Sequence, residues 1–268
     1  MKFKIALCQM AEEEEKNKAR NKMEVMVSQA AQAGANMVVL PEMWNCPYSV
    51  ECFQEYGERE DGDTVALLSR LAASWEVTLV GGSIPEIEGD KVYNTCYAFD
   101  SQGKLLGKHR KAHLFDIDVK GGIYFKESET LTAGNCSTTV DMEFCKVGIA
   151  ICYDVRFPEM IRKMALDGAK LIVLPAAFNM TTGPAHWHLT MRARALDNQV
   201  YFAAAAPARK EGGRYTAYGH SLVADPWGKI IAQADEKEQI LYCDIDTDFV
   251  DTIRNQLPLL KHRREELY

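Results

Sequence analysis

One segment, Gly148-Ile149-Ala150-Ile151-Cys152-Tyr153-Asp154-Val155-Arg156-Phe157-Pro158-Glu159, joins a nucleophile to an abrupt change of structure. The apolar run predicts a buried strand over 146–151 that ends at the cysteine. Pro158 predicts a helix start, because a first-turn proline has no N–H to lose and φ is already set. The thiol is therefore expected at a strand end near a helix N-terminus, where the helix dipole favours thiolate. Thiolate is the reactive form, and an ordinary thiol is only a few per cent ionised at neutral pH. Such a cysteine needs a base and an oxyanion stabiliser beside it.

Two further residues stand out. Glu42 follows the apolar Val38-Val39-Leu40-Pro41, a setting in which an unpaired carboxylate is costly. It reads as an unusual residue at the carboxyl end of a strand, where α/β sheets place ligands, or as one half of an ion pair with Lys111. Lys111 lies in Gly107-Lys108-His109-Arg110-Lys111-Ala112-His113, just after the first hairpin, either as a further candidate for the site or as part of a solvated basic turn. A papain-like alternative would use His186 or His220 as the base. A third reading is a silent scaffold, which would be easier to hold if Glu42, Lys111 or Cys152 were missing.

The elements that must carry these residues are written twice. Gln32-Ala33-Gly34-Ala35-Asn36-Met37-Val38-Val39-Leu40-Pro41 matches Leu166-Asp167-Gly168-Ala169-Lys170-Leu171-Ile172-Val173-Leu174-Pro175. In each, a helix ends at glycine and a buried strand runs to proline. Asp100-Ser101-Gln102-Gly103-Lys104 and Asp225-Pro226-Trp227-Gly228-Lys229 are matching turns between strands. The first half predicts strand 3–9, helix 17–33, strand 37–41, helix 64–74, strand 77–83 and a hairpin, 92–99 with 104–109. The second predicts strand 146–151, helix 158–167, strand 171–175, helix 185–198, strand 200–206, a hairpin of 219–224 with 229–233, and strand 239–244. Each half is then a βαβαββ layer with helices on one face of a mixed sheet. Two such layers bury their bare sheet faces against each other, giving an α/β fold: a four-layer αββα sandwich with pseudo-two-fold symmetry.

Composition excludes several classes. The 268 residues are 47% hydrophobic and 26% charged, as in a soluble globular protein, and the net charge of −7 argues against a nucleic-acid partner. No apolar run approaches the roughly 18 residues of a membrane span, and Met1-Lys2-Phe3-Lys4 is no signal peptide. The 8 cysteines are scattered without a C-x-x-C pair, which predicts free thiols and a cytoplasmic location. His186 and His188 fall on different faces of a helix, so no metal is expected there, nor any other cofactor.

Glu42, Lys111 and Cys152, in Leu40-Pro41-Glu42, Arg110-Lys111 and Ile151-Cys152-Tyr153-Asp154, resemble the nitrilase superfamily of carbon–nitrogen hydrolases. The resemblance extends to Phe125-Lys126-Glu127, Leu131-Thr132-Ala133-Gly134-Asn135, Ala185-His186-Trp187, Arg192-Ala193-Arg194-Ala195-Leu196-Asp197-Asn198-Gln199 and Gly219-His220-Ser221, and is nearest to the omega-amidase branch. The endings Ile253-Arg254-Asn255-Gln256-Leu257-Pro258 and Glu266-Leu267-Tyr268 match that branch too. It implies one carbon–nitrogen hydrolase domain over 1–268, with a C-terminal tail from about 250. It also implies a thiol amidase, with Cys152 attacking an amide carbonyl and Glu42 moving the protons. Lys111 and the Tyr153 N–H would hold the oxyanion, and Glu127 would orient Lys111 or assist the leaving group.

The branch implies small-molecule amide substrates: the terminal amides of short oxo acids, 2-oxoglutaramate and 2-oxosuccinamate. An amidase for deaminated glutathione and an N-carbamoyl amidohydrolase are the alternatives within the superfamily. Arg156, Asn179 and Tyr48 are positional candidates for holding substrate: Arg156 for a carboxylate, Asn179 at the strand end related by symmetry to Glu42, and Tyr48 as a closing hydroxyl. Where relatives have His-Trp-Glu this chain has His186-Trp187-His188. The resemblance further implies a homodimer through the helical faces near the site, with the C-terminal tail crossing over and Gln256-Leu257-Pro258-Leu259-Leu260 as an apolar anchor.

Overall fold

The computed structural model describes residues 1–118, 120, 124–212 and 215–267; Tyr268 lies outside them. The first half runs β1 (Lys2–Gln9), α1 (Lys16–Gln32), β2 (Met37–Val39), α2 (Val50–Tyr56), α3 (Asp63–Trp75), β3 (Thr78–Val80), β4 (Ile84–Glu88), β5 (Lys91–Phe99) and β6 (Leu105–Arg110). A small ribbon follows, β7 (Asp116–Asp118) with β8 (Tyr124–Lys126). The second half runs β9 (Thr138–Asp141), β10 (Lys146–Ile149), α4 (Pro158–Leu166), β11 (Leu171–Pro175), α5 (Gly183–Asn198), β12 (Tyr201–Ala205), β13 (Leu222–Ala224), β14 (Ile230–Gln233), β15 (Gln239–Asp246) and α6 (Thr247–Gln256).

The layers follow from the two-residue period of a strand. In β1, Ile5 and Leu7 face the core shared with the second sheet, while Ala6 and Cys8 face α1 and α3. The same split recurs in β2, with Met37 and Val39 against Val38, and in β5, with Cys96 and Ala98 against Tyr97 and Phe99. Met160, Ile161 and Met164 of α4 and Trp187 and Met191 of α5 belong to the core that includes the second sheet. The expected αββα arrangement is therefore the one observed. The repeated glycines end their helices as expected: Gly34 at φ 81° and Gly168 at φ 100° occupy the left-handed region that L side chains avoid.

The sheets depart from the expectation at their edges. Strand 239–244 is expected in the second half, but β15 pairs antiparallel with β1, from Lys2 beside Asp246 to Gln9 beside Gln239. In the other sheet β9, from the connection between the halves, pairs antiparallel with β10. Each half's first strand would otherwise be an open edge, a row of unpaired N–H and C=O groups. The chain covers both edges, one with a strand from the connection and one with a strand reaching back. The orders are β15-β1-β2-β3-β5-β4, with β6 on β5, and β14-β13-β12-β11-β10-β9. Residue 250 lies inside α6, whose Val250 and Ile253 are buried, so the exposed stretch of the C-terminus starts beyond that helix.

Candidate active site

Cys152, Glu42 and Lys111 come together beneath the carboxyl ends of β10, β2 and β6, where α/β sheets gather their functional groups. The pseudo-symmetry has a direct consequence here. Glu42 follows Leu40-Pro41, and its symmetry counterpart follows Leu174-Pro175; the Ala177 N–H beside that counterpart donates to Glu42 Oε2 at 2.8 Å.

The nucleophile turn differs from the sequence expectation. β10 ends at Ile149, and Cys152 opens a single 3-10 turn over Cys152–Arg156 before α4 starts at Pro158. The thiol is thus not on the first turn of an α-helix. Cys152 has φ 44°, a left-handed conformation that is strained for a side chain of its type. Burial pushes its thiol well above the ordinary value, the Glu42 carboxylate adds to this, and Lys111 opposes it. The expected lowering toward thiolate is therefore reversed: at neutral pH Cys152 is a protonated thiol hydrogen-bonded to Glu42.

The lone pairs of the Glu42 carboxylate differ in how far they are occupied. Glu42 Oε1 accepts from Lys111 Nζ at 2.9 Å and from Asn94 Nδ2 at 2.9 Å. Tyr48 lies 3.3 Å from the same oxygen, but its one hydroxyl proton goes to Glu127 Oε1 at 2.8 Å. Two donors fill Oε1, whereas Oε2 accepts only from the Ala177 N–H and keeps a lone pair for the thiol.

Lys111 is fully buried, not a solvated basic turn. Its ammonium donates to Glu42 Oε1 and, at 2.8 Å, to Glu127 Oε1. Burial alone would lower its pKa, but Glu127, Glu42 and Cys152 outweigh it and hold the ammonium firmly charged. One of its three N–H groups is left for a ligand. Glu127 is also fully buried and accepts from the Phe115 N–H at 2.7 Å; burial raises its pKa against the pull of Lys111. The Tyr153 N–H stands in the first turn of the 3-10 segment, where backbone donors have no partner within the turn.

Cys152 lines a small pocket together with Phe115, Tyr153, Arg156, Phe178, Asn179 and Tyr215, among others. Arg156 sits on this wall, 5.0 Å from the Phe178 ring, with both terminal nitrogens 3.3 Å from His186 Nδ1. Among the described residues no carboxylate pairs with it. Asn179 Oδ1 accepts from the Thr181 and Thr182 N–H groups at 3.0 Å, whereas its buried Nδ2 has no partner. Tyr48 does not close this cavity: it is buried among the carboxylates and gives its proton to Glu127. It lines a second cavity with Glu42, Met43 and Cys46 that shares Ala177 and Tyr215 with the first.

Asn94, the Ala177 N–H and Tyr215 were not anticipated. Asn94 is a polar residue inside an apolar strand, a weak signal of an inward-facing role; a backbone N–H has no sequence signature. Tyr215 donates to the Ala177 carbonyl and so braces the residue that bonds Glu42. His220 bonds the Tyr218 carbonyl and His186 lies against Arg156, so neither takes the place of Glu42 at the thiol. His188 packs 6.0 Å from the Tyr218 and His220 rings. Among the described residues no group of three His, Cys, Asp or Glu side chains could hold a metal ion.

A buried cysteine, glutamate and lysine at the strand ends of a doubled αββα sandwich define a carbon–nitrogen hydrolase. Residues 4–255 match the carbon–nitrogen hydrolase family model, and the chain belongs to that family. It is 50% identical to omega-amidase NIT2-B of Xenopus laevis over 267 residues, covering 100% of this chain and 97% of that one. With omega-amidase NIT2 of Mus musculus it shares 49% identity over 266 residues, 99% of this chain and 96% of the relative. The fold matches Saccharomyces cerevisiae Nit3, a member of branch 10 of the nitrilase superfamily. The TM-score is 0.91 at 43% identity, covering 98% of this chain and 97% of Nit3. The chain is an amidase acting on carbon–nitrogen bonds.

Proposed function

We propose that this amidase hydrolyses the terminal amide of short oxo dicarboxylic acids, 2-oxoglutaramate and 2-oxosuccinamate, through a Cys152 thioester. The observation that carries the substrate class is the pocket beside the thiol. It holds the Arg156 guanidinium, paired with no carboxylate among the described residues and within hydrogen-bond reach of the His186 ring nitrogen, and the buried Asn179 Nδ2, which has no partner. A carboxylate at the far end of a short chain satisfies both. The relatives named omega-amidase support the same class.

In the first half-reaction the Cys152 proton passes to Glu42 Oε2 as Sγ attacks the carbonyl carbon. The oxyanion takes the third Lys111 N–H and the Tyr153 N–H. Collapse breaks the C–N bond, Glu42 returns the proton to nitrogen, and ammonia leaves a thioester. Water then attacks the thioester, Glu42 takes its proton, and the C–S bond breaks with the proton restored to Cys152. Glu127 holds Lys111 in line through Oε1.

Ammonia release from both oxo-acid amides, with deaminated glutathione and N-carbamoyl amino acids in parallel and Cys152→Ala as control, tests the reading. Turnover of the first two, lost in the control, supports it; preference for another substrate overturns the substrate class. Arg156→Gln should raise KM for the oxo-acid amides by roughly 10- to 100-fold with kcat nearly unchanged, the worth of one hydrogen bond to a charged group. An unaltered KM would remove Arg156 from the carboxylate site.

The chain also forms a homodimer in this proposal, through the face where Leu189 (69% exposed) and Leu196 of α5 and Trp227 are exposed. Light scattering should give a dimer of the 30.1 kDa chain, and Leu189→Glu should give monomers. A monomeric wild-type protein would refute this. Among the described residues no helix is long and apolar enough to cross a membrane. The 8 cysteines stand as free thiols, which fits work in a reducing compartment such as the cytoplasm.

A further inference from the structure

We infer that Asp154 is a positioning residue that sets the spacing between Lys111 and Cys152. Its side chain is fully buried and lines neither cavity at the site, so it does not meet substrate. Its carboxylate instead collects four donors. Oδ2 accepts from the Ile151 N–H at 3.0 Å and faces His109 Nε2 at 3.0 Å. Oδ1 accepts from the His113 N–H at 2.9 Å and faces His113 Nδ1 at 2.8 Å. These fill the lone pairs of a carboxylate.

The identity of the donors gives the arrangement its meaning. His109 and His113 flank Lys111, and Ile151 immediately precedes Cys152. One carboxylate therefore ties both sides of the lysine to the turn that holds the nucleophile. Each partner is anchored again from outside: His109 Nδ1 lies 3.0 Å from Thr138 Oγ1 of β9, and the His113 ring stacks on Phe157 at 3.6 Å. An oxyanion held jointly by Lys111 and the Tyr153 N–H requires those donors at a fixed separation. A displacement of about 1 Å at such a site can lower the rate about 100-fold.

This inference rests on the oxyanion role proposed for Lys111, and a double-mutant cycle separates the two. The readout is single-turnover release of p-nitrophenolate from p-nitrophenyl acetate, beside kcat and KM for the amide. Asp154→Asn should lower kcat and the acylation rate about 10- to 100-fold, with KM within about 3-fold. In a Lys111→Met background the same change should lower acylation less than about 3-fold, because its effect runs through the lysine. A full, repeated loss in that background overturns the positioning role and leaves the Lys111 proposal standing. If Lys111→Met by itself leaves acylation intact, the oxyanion role fails instead. Should Asp154→Asn fold poorly, His113→Phe keeps the stack on Phe157 and removes one ring donor; it should give a smaller loss with the same dependence on Lys111, and an additive loss would overturn the inference.

Discussion

Glu42→Gln should abolish amide hydrolysis, roughly 1,000-fold or more in kcat, and yet let the Cys152 thiol ionise at lower pH than in the wild type. The two halves of this expectation point in opposite directions, which makes it informative. Cys152 is held above the usual thiol value of 9.0, first by burial and then by the Glu42 carboxylate. Removing that charge removes one cause of the elevation and leaves Lys111, which stabilises thiolate. An enzyme that needed only a thiolate would gain from the change. One that transfers the proton during attack loses its acceptor, a role worth about 100- to 10,000-fold. Glutamine can keep an oxygen toward Lys111 and Asn94, but its NH₂ then faces the Ala177 N–H, so some stability is lost as well.

The check is the pH profile of Cys152 alkylation by iodoacetamide alongside kcat, with thermal unfolding to confirm the fold. A midpoint that falls while turnover disappears identifies Glu42 as the proton carrier. A variant retaining a tenth of wild-type turnover, or a thiol that titrates higher, sinks the assignment.

What was legible in the sequence follows from where the chemistry interrupts the burial pattern. Glu42 and Cys152 stand at the ends of apolar strands, where a carboxylate or a thiol needs a reason, and the doubled helix–strand pattern brings those ends together. Lys111 was ambiguous among its basic neighbours, and only its fully buried position between two carboxylates separates it from a surface turn. Glu127 was reachable by resemblance alone, because its burial depends on the chain folding back so that the Phe115 N–H meets its carboxylate. The Cys152 shift runs opposite to the helix-dipole expectation for a related reason. Pro158 does start a helix, but a 3-10 turn intervenes, and the dominant influence on the thiol is desolvation supplied by both halves of the fold. The edge exchange of β15 escaped the reading because pairing partners are set by which edge is open, not by the strand's own residues.

Lys111→Met should be the second severe lesion, and here catalysis and stability fail together. Its ammonium is the cation shared by Glu42 and Glu127, all three fully buried as side chains. Methionine fills similar space but leaves two carboxylates facing each other in a dry site. Removing one partner of such a cluster destabilises by about 3–5 kcal/mol. Losing one oxyanion donor lowers kcat about 100- to 1,000-fold. The stability loss should depend on pH with a definite sign. Burial already raises the pKa of Glu127, and Lys111 is the main group opposing it. Without the lysine, the folded variant holds a proton there over a pH range in which the unfolded chain, with an ordinary glutamate near 4.3, has released it. The deficit relative to wild type therefore grows as pH rises from about 4.3 through the raised folded value, and shrinks in acid. Urea unfolding of both proteins at pH 5 and pH 8 measures it. A gap that is wider at pH 8 places the missing charge between the carboxylates, whereas a gap independent of pH would mean that Lys111 acts by packing alone.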